Sequence, residues 1–381
     1  MQIDEIRKRE KALKIINQKI KNDQKNNLID LTGLTGGFEV NSDEMKLLET
    51  YVGPAVFDEK IQEVGKKHLS GEKILPVNRT TAGIVATILT LVAPKTEIIH
   101  FLPKKPAHPS IPRTAKLVKA DYVEYTDINE IKINPKKTSL VIITGTTMDY
   151  EVIDVTDFKQ IIKKAKEFNV PVFVDDASGA RLRRSIYDQP TAIDMGANLA
   201  VTSTDKLMDG PRGGLMAGDK KLIDQIKLTV NQYGLEAQAP LVAGMVNALK
   251  AYNPERIRTA FKQKDELYIK LNEANLNPEK TPTGFMFKKE DIKKEILKRD
   301  IQTSMSDDIL AITYSMLLLK NFNIITIPAL GMPEASRTIR IDWSSKDSNK
   351  ISMDYLINSI VETFNMLETI CKNNSFEKIV Y

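Results

Sequence analysis

The sequence predicts an α/β protein: a large, doubly wound, mainly parallel sheet domain followed by a smaller C-terminal α+β domain. Three observations predict it. Short apolar, β-rich runs ("EIIHFL", "DYVEY", "SLVIITG", "VPVFVDDA", "NLAVTST") recur between residues 97 and 204. Most are followed by a turn and a polar-periodic helical stretch, the pattern of crossovers in a parallel sheet. The chain is also 381 residues long, more than one compact core usually holds.

Taken in order, residues 1 to 25 read as an amphipathic helix with Ile3, Ile6, Leu13, Ile16 and Ile20 near helical spacing. "LIDLTGLTGGFEV" is Gly-rich and extended, and residues 43 to 69 look helical. "TTAGIVATILTLVA" is an apolar helix opened by hydroxyl residues. "DVTDFKQIIKKAKEFN" is a crossover helix capped by Asp154 or Thr156. After about residue 250, "NPERIRTAFKQKDELYIKLNEAN" reads as a long helix. "GFMFKKEDIKKEILKRD", "NIITIPAL" and "SRTIRIDW" then suggest the smaller α+β part, closed by the helix "SMDYLINSIVETFNMLETICKN". The expected division is an N-terminal helix and arm (1–45), a large domain (46–250), and a linking helix with the small domain (251–381). Met305, Met316 and Met332 read as core filler.

Composition narrows the function. Fifty-five basic against 50 acidic residues leave a net charge of +5, too weak to imply nucleic-acid binding by itself. Lys-rich stretches such as "IKKAKEF" and "DIKKEILKRD" are solvated helix faces. A single cysteine, Cys371, makes no intrachain disulfide framework and no cysteine metal site. His68, His100 and His108 share no metal-ligand spacing, so no metal is expected. The charged N-terminus "MQIDEIRKREKALKIINQ" is no signal peptide, and no apolar run reaches the roughly 20 residues of a membrane span. A cytoplasmic protein is expected. The P-loop pattern is absent, "TGLTGG" does not match the dinucleotide fingerprint, and no G-x-S-x-G elbow occurs.

What remains is "VTSTDKLMDGPRGGLMAGDKK". Lys206 follows an apolar strand and three hydroxyl residues, and precedes a turn-rich Gly210-Pro211-Arg212-Gly213-Gly214. Parallel sheets place their chemistry at the carboxyl ends of strands, which puts Lys206 at the site edge. The preceding strand delivers Asp175 or Asp176 to the same rim, and alternation sends those two side chains to opposite faces, so one suffices. "NRTTAG", residues 78–83, opens an apolar helix. A lysine amine, a carboxylate and a hydroxyl-rich helix N-terminus are what pyridoxal phosphate (PLP) requires. They serve as Schiff-base partner, pyridinium partner and phosphate cup.

"VPVFVDDASGARL" followed by "GANLAVTSTDKLMDGPRGGLMAG" resembles fold-type I PLP-dependent transferases. More narrowly it is similar to bacterial selenocysteine synthase (L-seryl-tRNA selenium transferase) and its archaeal relatives. The resemblance implies that Lys206 is the Schiff-base lysine, Asp175 the pyridinium partner and Ala177 the small residue against one ring face. It implies phosphate contacts from Ser203 and from Thr80, Thr81 and Ala82, and an aromatic stack from His108. Arg340, or Arg337 three residues away, would hold a substrate carboxylate, and Arg79 a substrate anion. A homodimer or larger assembly acting on an amino-acid-like substrate or aminoacyl-tRNA follows from the same likeness. The reaction implied is Cα-proton abstraction with β-elimination or replacement. "TVNQYGLEAQAP" has no basic residue where that family carries arginines for an anionic selenium donor, so a different donor is expected. The rival readings are a non-catalytic PLP-binding or RNA-associated protein, and an aminotransferase or lyase acting on a free amino acid.

Overall fold

The computed structural model describes residues 4–22, 24–34, 36–331 and 335–381. Two compact units result: Gly36–Glu255, and Met1–Thr35 together with Arg256–Tyr381. The N-terminal helix therefore belongs with the C-terminal residues and does not stand apart as 1–45. Its face also differs from the expected one. Ile6, Leu13 and Ile20 are 65%, 41% and 45% exposed, whereas Lys8 and Ala12 are buried. Lys8 decides the rotation, because its ammonium donates to the carbonyls of Pro328 (2.8 Å) and Gly331 (3.1 Å) and pairs with Glu5. Ile3 lies outside the described residues.

In the larger unit seven strands form one sheet: β1 (Lys73–Val77), β2 (Glu97–Phe101), β3 (Asp121–Tyr125), β4 (Thr138–Thr144), β5 (Val172–Asp175), β6 (Leu199–Ser203) and β7 (Gly214–Gly218). Their order is β1-β7-β6-β5-β4-β2-β3. Only β7 runs antiparallel to its neighbours. The five runs read from the sequence are β2 to β6. Strands β1 and β7 carry weaker local signals: β1 contains Pro76, tolerated because β1 is an edge, and β7 begins and ends in glycine. The stretch expected as one helix over 43–69 is two, Ser42–Met45 and Val52–Leu69, because Pro54 is accepted only in a first turn. Asp154 caps helix Val155–Glu167 by accepting from the amides of Thr156 and Asp157.

Apolar side chains alternate across the sheet. Phe173 packs with Ile142, Val201 and Ile84, beside helix Thr80–Leu91. Val174 packs with Ile143 and Ile161, beside helix Val155–Glu167. Asp175 therefore takes the face of Phe173 and Asp176 the face of Val174.

The smaller unit holds an antiparallel sheet of β8 (Glu279–Thr281), β9 (Gly284–Phe287) and β10 (Ile339–Asp342), in the order β10-β9-β8. A two-residue parallel pair joins Ile29–Asp30 to Ile324–Ile325. Helices Asp307–Phe322 and Met353–Asn373 supply much of its core, in which Met305 and Met316 are buried. Met332 lies outside the described residues.

Candidate active site

Three strand ends converge in the larger unit. Gly214, the first residue of β7, pairs with Val77 at the end of β1 and with Ser203 at the end of β6. A side chain there would not fit, since a Cβ on Gly214 would stand 2.7 Å from the Thr80 amide nitrogen and 2.8 Å from the Arg79 carbonyl oxygen. The missing Cβ is what lets "NRTTAG" lie against the strand that returns from the lysine loop.

Asp175 and Asp176 have opposite environments. Asp176 forms a buried ion pair with Arg183, which contacts it through Nε (3.1 Å) and Nη2. Arg183 also donates to Gln189 Oε1 (3.1 Å) and the Pro190 carbonyl (3.2 Å), and lies over the Phe158 ring. Asp176 is thus fully committed to structure. Asp175 is just as buried, yet its Oδ1 has no hydrogen-bond partner. Its carboxylate accepts the Ala177 amide, and desolvation raises its pKa to about 6 even though the Lys206 ammonium pulls the other way. A buried carboxylate oxygen left bare invites a donor.

Lys206 is half-buried at the head of an irregular segment that follows β6. Thr204 closes that loop, its amide donating to Gly213 O (3.1 Å) and its hydroxyl to Pro211 O. The Gly37 amide braces the loop from outside by donating to Gly210 O (3.0 Å). Leu207 sits in the left-handed region at φ 55°, a conformation costly for a non-glycine residue. Arg181, fully buried, donates to Thr202 just before Lys206 and contacts Met208 Sδ (3.6 Å) just after it. Arg181 and Arg183 were not singled out from the sequence. Nothing local in "GARLRR" marks these arginines as buried; their partners Thr202 and Asp176 are brought to them by the fold.

Helix Thr80–Leu91 begins without a side-chain cap, so the hydroxyls of Thr80 and Thr81 do not serve the ordinary capping role. The Ala82 and Gly83 amides donate to the Arg79 carbonyl (2.9 and 3.3 Å), while the side chain of the N-cap residue, Arg79, bonds none of the first-turn amides; Ala82 is buried. The Ser203 hydroxyl, expected to meet the phosphate, donates to the Asp205 carboxylate. Asp205 also pairs with Arg212, Nε to Oδ2 at 3.7 Å. Burial lowers the Arg79 pKa, helped by repulsion from Arg212. Two guanidiniums facing one carboxylate leave this rim net positive.

The remaining expected residues fall as follows. His108 lies in the loop after β2, half-buried, with Nδ1 bonded to Ser110 Oγ (2.7 Å). Arg340 is buried on β10 of the smaller unit, donating from Nη2 to Thr32 O (2.9 Å). Arg337 is taken up by ion pairs with Glu5 and, at 3.9 Å, Asp308. His68 and His100 are buried. Among the described residues no group of three or more His, Cys, Asp or Glu could hold a metal ion. No described helix is long and apolar enough to cross a membrane.

A profile described as "L-seryl-tRNA selenium transferase" matches residues 115–274, which include both Asp175 and Lys206. Another, "UPF0425 C-terminal domain", matches residues 274–352. A "UPF0425 pyridoxal phosphate-dependent protein" of Methanosphaera stadtmanae is 63% identical over 379 residues, covering 100% of this chain and 99% of the relative. The chain belongs to the UPF0425 pyridoxal phosphate-dependent family. A more distant relative, the L-seryl-tRNA(Sec) selenium transferase of Mannheimia succiniciproducens, is 29% identical over 152 residues, covering 37% of this chain and 33% of that one. Among solved structures, an alanine–glyoxylate aminotransferase from Nostoc sp. superposes with a TM-score of 0.63 at 14% identity, covering 88% of this chain and 95% of the other. That likeness establishes the fold, which is fold-type I. PLP is thus the cofactor of this family, and the residues present fit it. Asp175 Oδ1 lacks the donor a ring nitrogen provides, a lysine stands within its electrostatic reach, and an uncapped helix end offers donors to a phosphate.

Proposed function

We propose that the protein is a PLP-dependent transferase or lyase that removes the Cα proton of an amino acid or aminoacyl-tRNA and then eliminates or replaces its β-substituent. The donor would differ from that of the selenium transferases. The observation that carries this reading is the bare, buried Oδ1 of Asp175 beside Lys206. Bound PLP supplies an electron sink for negative charge developing at Cα.

Every other role belongs to the chain. Asp175 accepts from the protonated ring nitrogen and, being buried, holds the proton there. The amides at the start of helix Thr80–Leu91, with the Thr80 and Thr81 hydroxyls and Ala82, hold the phosphate dianion, an interaction the helix dipole favours. Ala177 is small enough that it would leave room for the cofactor ring, and His108 would stack on that ring. Lys206 would hold the cofactor through its amine, and its Nζ would take the Cα proton of the substrate. Arg79 meets an anionic group of the substrate. Arg340, rather than the ion-paired Arg337, holds a free α-carboxylate when the substrate has one. The assembly is a homodimer or larger symmetric oligomer working in the cytoplasm.

The match to the seryl-tRNA selenium transferase profile across the Asp175–Lys206 region supports an aminoacyl-tRNA substrate. The burial of Arg340 supports a free amino acid. Exchange of Cα hydrogen for deuterium separates them, measured on the PLP-loaded protein with free amino acids and with seryl-tRNA. We expect exchange with one class and none in Lys206→Ala. Exchange of free amino acids that survives in Arg340→Ala removes Arg340 from its role. No exchange with either class contradicts catalysis and leaves a PLP-binding protein.

A further inference from the structure

None of these roles uses His100, a fully buried histidine one residue before the end of β2. Both ring nitrogens are bonded, Nδ1 to the Tyr122 hydroxyl (2.7 Å) and Nε2 to Thr144 Oγ1 (2.8 Å). Tyr122 donates in turn to Glu124 Oε1 (2.8 Å), half-buried on edge strand β3. The chain crosses three adjacent strands and ends on Thr144, the last residue of β4, which pairs in register with Asp175. Paired residues of neighbouring strands share a sheet face, with strands about 4.8 Å apart. The Thr144 and Asp175 side chains therefore neighbour each other on one sheet face, yet Asp175 Oδ1 has no partner.

The donor–acceptor inventory gives this chain one direction. A carboxylate only accepts, so the Tyr122 proton is spent on Glu124 and the phenol oxygen must accept from His100 Nδ1–H. Burial keeps the imidazole neutral by pushing its pKa down to about 3, and a neutral ring has one N–H. Nε2 is then bare, and the Thr144 proton goes to it.

We propose that the Glu124–Tyr122–His100–Thr144 chain is a positioning relay that turns the Thr144 proton away from Asp175 and so reserves Asp175 Oδ1 for the ring nitrogen. The relay rests on Asp175 being the ring partner. Without it, Thr144 would donate to Asp175 and compete with the cofactor.

Nitrogen-15 spectra of the histidine-labelled apoprotein read the first half. The expected state of His100 is neutral, protonated on Nδ1 and bare on Nε2 throughout the neutral range. An Nε2–H form or an imidazolium overturns the relay. The second half is read by PLP affinity. Tyr122→Phe releases His100 to protonate Nε2, Thr144 then turns to Asp175, and PLP binds roughly tenfold more weakly. Adding Thr144→Val to Tyr122→Phe removes the competing donor and restores affinity to within about twofold. A purely structural role for Tyr122 predicts no such rescue, and unchanged affinity in Tyr122→Phe or failed rescue overturns the proposal. Asp175→Asn binding PLP as tightly as the wild type would instead refute the ring-partner reading, and the tautomer measurement stands apart from it.

Discussion

Asp175 is a cost to the free protein. Its carboxyl titrates near 3.8 when exposed and at about 6 in the fold, so between those values the folded state holds more protons than the unfolded one. Stability therefore falls as pH rises through that window, and the full penalty, about 3 kcal/mol, is present above it. Asp175→Asn removes the charge and keeps the shape. We expect the variant apoprotein to resist denaturant better than wild type at neutral pH, the advantage shrinking toward pH 4. The same variant should lose at least about a hundredfold in Cα-hydrogen exchange, because a neutral amide cannot keep the ring nitrogen protonated. A stability gain joined to an activity loss marks a residue kept for function. Asp176 offers the contrast. Its partner Arg183 answers it in the free protein, and removing either would leave a buried charge unpaired.

At the scale of elements, the proposed phosphate cup depends on a strand that begins and ends in glycine. β7 joins the end of β1 to the end of β6, and Gly214 is where the three backbones meet helix Thr80–Leu91. In Gly214→Ala the new methyl meets backbone atoms, so either the helix start or the strand must move. PLP affinity should drop by at least roughly tenfold, with a smaller loss of thermal stability, measurable by cofactor titration and melting. Legibility in the sequence divides at this same element. Strands β2 to β6 could be read because each is an apolar run closed by a turn, and Asp175 and Lys206 stood out because each ends such a run. Strand β7 could not be read: "GLMAG" has little β-propensity and earns its place through antiparallel neighbours distant in the chain. The bond from the Ser203 hydroxyl to Asp205, two residues on, was not legible either, because the sequence does not reveal how the loop after β6 folds back. The His100 relay stayed hidden for a similar reason. Tyr122, His100 and Thr144 stand on three separate strands, and no local pattern connects them.

At the scale of the molecule, the chain closes on itself: its first helix belongs to the unit built from its last 126 residues, Arg256–Tyr381. Lys8 holds it there through two backbone carbonyls and Glu5, an arrangement that apolar periodicity could not reveal. The larger unit carries the parallel sheet and every residue assigned to the cofactor, while Arg340 belongs to the smaller. The whole account turns on one bond between Lys206 and PLP. The direct measurement is the visible absorption spectrum of the purified full-length protein with added PLP, followed by borohydride reduction and peptide mass mapping. The account predicts a yellow band that shifts with an accepted amine, and a reduced pyridoxyl group on the peptide containing Lys206. No band, or a label fixed on another lysine, would contradict it.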